Sequence, residues 1–106
     1  MEEVKAESLT LRDDNGQWLG QVVITSDGMY ASVTDWGNFS YAWRSYGNDF
    51  KKFLCGLNES YFAQKMENGM SYQAKMNKGA CQRYAEKILP ALQKELSKQN
   101  VMIGGL

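Results

Sequence analysis

The chain has 106 residues, 43% of them hydrophobic, one proline and no formal net charge. That is enough for a single domain with a continuous core and is too apolar for disorder. The absence of histidine excludes triads and zinc sites built on imidazole. Cys55 and Cys81, the only cysteines, lie too far apart for zinc-ligand spacing. Both fall in helix-forming segments beside apolar neighbours, so they read as reduced core residues. No apolar run reaches the roughly 18 to 20 residues of a membrane span, and Met1-Glu2-Glu3 is acidic where a signal peptide is basic. The expectation is a soluble protein of the cytoplasm, without a membrane, metal or cofactor.

Taken in order, residues Val4 to Arg12 alternate loosely and lead into the turn Asp13-Asp14-Asn15-Gly16. Trp18 to Thr25 (WLGQVVIT) has strand composition, and Ser26-Asp27-Gly28 closes it as a second hairpin turn. Met29 to Thr34 alternates Met29, Ala31 and Val33 against Tyr30, Ser32 and Thr34. The first set is the apolar one and is expected to face the core, which would leave the Tyr30 ring outside. After Asp35-Trp36-Gly37-Asn38 comes an aromatic strand with Phe39, Tyr41 and Trp43 at every second position. Four strands joined by tight turns predict an antiparallel meander.

The period then changes. Phe50, Phe53, Leu54 and Leu57 follow helical spacing, with Asn48 or Asp49 placed to cap and an end near Leu57-Asn58. A short helix is predicted from Ser60 to Glu67, stopped by Asn68-Gly69. The longest, from Ser71 to Lys98, carries Met76, Cys81, Tyr84, Ile88, Leu92 and Leu96 on one stripe, and Pro90 is expected to kink or break it near Leu89. Val101 to Leu106 reads as a loose tail. The predicted architecture is one α+β domain: an antiparallel sheet over 1–45, packed on one face by a helical layer of three helices over 48–98, with a tail at 99–106.

Charge is unevenly distributed. Residues 1–50 hold eight acids and three bases, net −5; residues 51–106 hold nine bases and four acids, net +5. This predicts an electrically two-sided molecule if the halves form separate layers. The acidic half offers a surface able to dock on a basic nucleic-acid channel, with Asp13, Asp14 and Asp27 in turns and Tyr30 and Trp36 as exposed rings. In the basic half Lys51, Lys52, Lys75, Lys78 and Arg83, together with Lys94 and Lys98 at helical spacing, form either a ridge that meets phosphates or a solvated helix face. The rings of Phe39, Tyr41 and Trp43 fit a core face better than a platform for stacking bases. Asp13-Asp14 are turn residues before they are a catalytic pair, no phosphate-cradling loop precedes a helix, and the reading is a protein that is not an enzyme.

At the strand-to-helix junction, the turn Asp35-Trp36-Gly37 is followed by Tyr41 and Trp43. Gly47, Asp49-Phe50, Phe53-Leu54, Tyr61 and Lys65 then complete the pattern. In this the chain resembles a group of small proteins encoded by phages and prophages. The resemblance implies a phage accessory protein that acts by stoichiometric binding. By analogy with anti-CRISPR proteins, it implies an inhibitor of a host defence nuclease, its partner a host protein or ribonucleoprotein effector such as a Cas nuclease. The alternative is an accessory protein that binds nucleic acid directly through its basic helices. Either a monomer or a homodimer is compatible with the sequence, because three tryptophans and six tyrosines are many for one chain of this size to bury.

Overall fold

The computed structural model describes residues 3–68 and 78–104, with side-chain surroundings for 3–68 and 79–98. Four strands, β1 (Ala6–Arg12), β2 (Trp18–Thr25), β3 (Met29–Thr34) and β4 (Gly37–Ala42), pair antiparallel in the order β1-β2-β3-β4. Three helices follow: α1 (Phe50–Cys55), α2 (Glu59–Asn68) and α3 (Lys78–Gly104). All three pack on one face of the sheet, as the sequence predicts for an α+β meander.

Each turn is closed by a short polar side chain. The Asp13 carboxylate accepts the backbone N–H groups of Asn15 and Gln17, both at 2.9 Å. Thr34 Oγ1 accepts from Trp36 N at 3.1 Å and donates to the Gly37 carbonyl at 2.8 Å. Between β2 and β3, Gly28 sits at φ 96°, and its carbonyl accepts from Trp43 N at 2.8 Å. A Cβ there would stand 2.2 Å from the Trp43 carbonyl oxygen and 2.8 Å from the Tyr46 ring, so both the backbone angle and the space demand glycine.

The first helix begins at an expected cap, and the second at a residue that the sequence reading assigns to the end of the first. Asp49 accepts from Lys52 N to start α1, and Asn58 Oδ1 accepts from Tyr61 N at 2.8 Å to start α2. α3 runs unbroken through Pro90, contrary to the expected break. Proline removes one N–H and frees the Glu86 carbonyl four residues back. Glu86 and Pro90 both lie on the exposed side of the helix, where that carbonyl is open to solvent and its lost partner costs least. α3 also continues beyond Lys98 to Gly104, so the region predicted as a tail is helical there. The expected helical start at 71–77, with Met76, and the stop at Gly69 fall outside the described residues.

The core lies between the layers. Leu9, Leu11, Val22, Ile24, Tyr30 and Phe39 from the sheet meet Leu54, Phe62, Tyr84, Ile88, Leu92 and Leu96 from the helices, all 6% exposed or less. Trp43 packs against Phe50 and Phe53, both at 5.8 Å between ring centroids, and Phe39 stacks on Tyr84 at 3.8 Å. The aromatic strand is therefore core, and only Tyr41 stays half-buried. Cys81 is buried and Cys55 half-buried, and both are reduced thiols.

One assignment reverses. Tyr30, Ser32 and Thr34 are the buried face of β3, while Met29, Ala31 and Val33 point outward. The cause is a hydroxyl chain that makes burial of the polar set tolerable: Tyr30 bonds Tyr84, Tyr84 bonds Ser32 at 2.5 Å, and Ser32 Oγ donates to the Phe39 carbonyl at 3.4 Å. With the last donor fixed, the order of donation is Tyr30 to Tyr84 to Ser32 to Phe39. Among the described residues no buried side-chain polar atom lacks a partner.

Candidate functional site

With the helices on one side, the other side of the sheet is bare among the described residues. Two cross-strand rows define it: Ser8, Val23, Ala31 and Ser40, and beside them Thr10, Gln21, Val33 and Asn38. Met29 and Ala42 extend the face at one end, and Arg12 at the other is the one charge among its described strand residues. Val23, Met29 and Val33 are 37%, 50% and 56% exposed, high values for large apolar side chains. Gln21 binds neighbours on β1, donating to Ser8 Oγ at 2.5 Å and accepting from Thr10 Oγ1 at 2.9 Å. The result is a pre-ordered, largely uncharged surface, with the exposed ring of Trp18 opposite Arg12 at one end.

Acidic turns border this face at both ends. In a meander the β1–β2 and β3–β4 turns share an end, so Asp13, Asp14, Asp35 and Trp36 lie together, and Asp27 lies at the opposite end. Asp14 is also met by Lys94 of α3 at 3.1 Å, and Asp27 accepts from Thr25 Oγ1. Of the five residues expected to contact a partner, Tyr30 is withdrawn: it is fully buried and held by Tyr84. Trp36 is half-buried against the core.

The described basic residues fall in different places. Lys51 forms an ion pair with Glu7 at 2.6 Å beside a cleft of about 620 Å³ between β1, the β2–β3 turn and α1. Lys52 lies on the exposed side of the short α1. Lys75 and the Lys78 side chain fall outside the described residues. Arg83 does align with others: Arg83, Lys87, Lys94 and Lys98 are exposed on α3 at spacings of four, seven and four residues. At 3.6 residues per turn these form one ridge about 22 Å long, directly opposite the buried stripe.

Groups with shifted acidity all move away from neutrality. Burial pushes Tyr30 from 10.0 up to about 12 and Tyr84 higher still, helped by the neighbouring Tyr30. Burial, then Glu67, raises the Cys81 thiol. These groups therefore hold their protons at pH 7. Among the described residues no cluster of three or more acidic or cysteine side chains is placed to hold a metal ion, and no helix is long and apolar enough to cross a membrane.

A family model, Phage_phiTE_072, described as a phage family, matches residues 1–80. The chain belongs to this phage family. The matched part contains the whole sheet, its bare face, α1 and α2, whereas the basic ridge from Arg83 onward lies beyond it. No curated protein and no solved structure matches the chain. Within the phage-family segment, Tyr41, Trp43, Tyr61 and Lys65, four of the residues that carry the sequence resemblance, gather into one cluster. Lys65 Nζ lies 5.7 Å from the Tyr41 ring centroid and 5.3 Å from that of Tyr61, while Trp43 Nε1 donates to Tyr61 Oη at 3.2 Å. This cluster locks α2 to β4, which is a structural role.

The bare face escaped the sequence reading because hydropathy favoured Met29, Ala31 and Val33 for the core. A signal was present in Ser8, Thr10, Ser40 and Asn38, polar and uncharged residues at alternate positions that mark the outer side of β1 and β4.

Proposed function

We propose that this phage-family protein acts without turnover, by stoichiometric binding of a host protein or ribonucleoprotein effector in the host cytoplasm, in the manner of an anti-CRISPR protein. The bare sheet face is the contact surface. What carries the reading is the pairing of a neutral, partly apolar centre with charged turns at both ends, the arrangement of a protein interface with a polar rim. In this reading Asp13, Asp14 and Asp27 contact the partner as an acidic rim, which suits a partner whose nucleic-acid channel is basic.

The deciding experiment is affinity capture from the lysate of a host bacterium, read by mass spectrometry, with the native chain and with Ala31→Arg. A single host protein recovered in equimolar amount by the native chain, and lost with Ala31→Arg, supports the proposal. Equal recovery by both chains removes the sheet face as the contact. Reversal of Asp13, Asp14 and Asp27 should weaken capture, and reversal of Lys87 should leave it unchanged.

A second reading is favoured by the α3 ridge: direct binding of nucleic acid by Arg83, Lys87, Lys94 and Lys98. Its mark is affinity that falls steeply with salt, measured by fluorescence anisotropy. Absence of binding to DNA and RNA at low salt removes it.

A further inference from the structure

The two edges of the sheet are unequal. β1 is guarded: its register shifts between Leu11 and Arg12, and it carries two charged residues, Glu7, paired with Lys51 at 2.6 Å, and Arg12. Bulges and charges are the usual devices that keep an edge from pairing with another chain. β4 has none of them. From Gly37 to Ala42 it contains no charged residue and no proline, and its register with β3 is unbroken from Thr34–Gly37 to Met29–Ala42.

The direction of its free backbone groups follows from one hydrogen bond. Trp43 N donates to Gly28 O across the same ladder, and hydrogen-bonding direction alternates along a strand. Gly37, Phe39, Tyr41 and Trp43 therefore turn their backbone groups toward β3, and Asn38, Ser40 and Ala42 turn theirs outward. The side chains of these three are small, uncharged and exposed. On the inner side, the Lys65 charge is held over the Tyr41 and Tyr61 rings.

We propose that two copies of the chain pair through β4, antiparallel about a two-fold axis at Ser40, to form a continuous eight-stranded sheet. Ser40 then faces Ser40 of the second copy and Asn38 faces Ala42, exchanging about six backbone hydrogen bonds. The same register is complementary in charge. Arg44, exposed just past the end of β4, comes opposite Trp36 and beside Asp35 of the second copy, and the contact occurs twice. The pairing does not depend on what the bare face binds; it doubles that face from four strands to eight.

Sedimentation equilibrium from about 10 µM to about 1 mM, the range of weak edge contacts, is combined with amide hydrogen exchange. The expected result is a concentration-dependent shift from the 12.0 kDa monomer to twice that mass, with the Asn38, Ser40 and Ala42 amides slowing in step. Arg44→Asp or Asp35→Arg alone should weaken the dimer about three- to tenfold, as two exposed ion pairs allow, and the double exchange should restore it. Ser40→Pro, tolerated on an outward edge position, should abolish it; unchanged near-UV circular dichroism confirms the fold. A monomer throughout the range overturns the proposal. So does a dimer in which those three amides exchange freely or the charge exchange gives no rescue.

Discussion

The two faces of the sheet are made by the same strands and differ in almost every property. The inner face carries Tyr30 and Phe39 with Leu9, Leu11, Val22 and Ile24, nearly all inaccessible to water. The outer face offers Ser8, Val23, Ala31, Val33 and Ser40, small and uncharged. Polarity does not separate them, since β3 buries a tyrosine, a serine and a threonine and exposes a methionine and a valine. What separates them is a partner: Tyr84 on α3 supplies the hydroxyl that Tyr30 and Ser32 need, and among the described residues nothing packs on the outer side.

That contrast is open to test, first where the effect is largest. Tyr84→Ala should lose about 3–5 kcal/mol, because it removes a stacked aromatic ring and strands two buried hydroxyls. Tyr84→Phe keeps the stacking on Phe39 and should lose only about 1–3 kcal/mol. Urea denaturation gives both values, and equal losses would mean that the hydroxyl chain, not the ring, holds the inner face.

Alkali probes the same groups. In the unfolded chain both tyrosines ionise near 10.0, whereas in the folded protein Tyr30 waits until about 12 and Tyr84 beyond that. Both states are protonated below about pH 9, so stability is then independent of these groups. As pH rises past 10 only the unfolded state releases protons, and stability falls by about 1.4 kcal/mol per pH unit per tyrosine until the folded value is reached. Urea midpoints between pH 9 and 11.5 should show this slope, and Tyr84→Phe should reduce it. A native protein whose tyrosinate absorbance rises at pH 10 with both residues would contradict their burial.

The smallest effect belongs outside. Val33→Thr keeps the β-branched shape on an exposed strand position and should change stability by less than about 0.5 kcal/mol. A larger loss in urea would mean that something covers the outer face in solution, and dilution would then identify a second copy as that cover.

Much of the fold was legible because its signals are local. The strand composition of Trp18–Thr25, the alternation in Phe39–Trp43, the turn residues Asp13 and Gly28, and the cap Asp49 are each read within a few positions. The candidate surface was legible only in part. Which side of β3 is buried depends on a residue 54 positions away, and no local pattern in Met29–Thr34 announces Tyr84. Pro90 misled for a related reason: its cost depends on which side of α3 it occupies, and that is set by the layer beneath. The rim aspartates were visible as turn residues, yet their division between the two ends follows from topology, once the strand order is known.

The position of Tyr84 has one consequence for how the chain is made. The sheet is complete by Ala42, whereas the helix that seals it continues to Leu96 and beyond. At about 5–20 residues per second of synthesis, the finished strands wait some seconds for that helix, with their inner face only partly covered. During that interval the nascent chain is a sticky, half-roofed sheet. Its risk of wrong association is greatest before the last helix emerges.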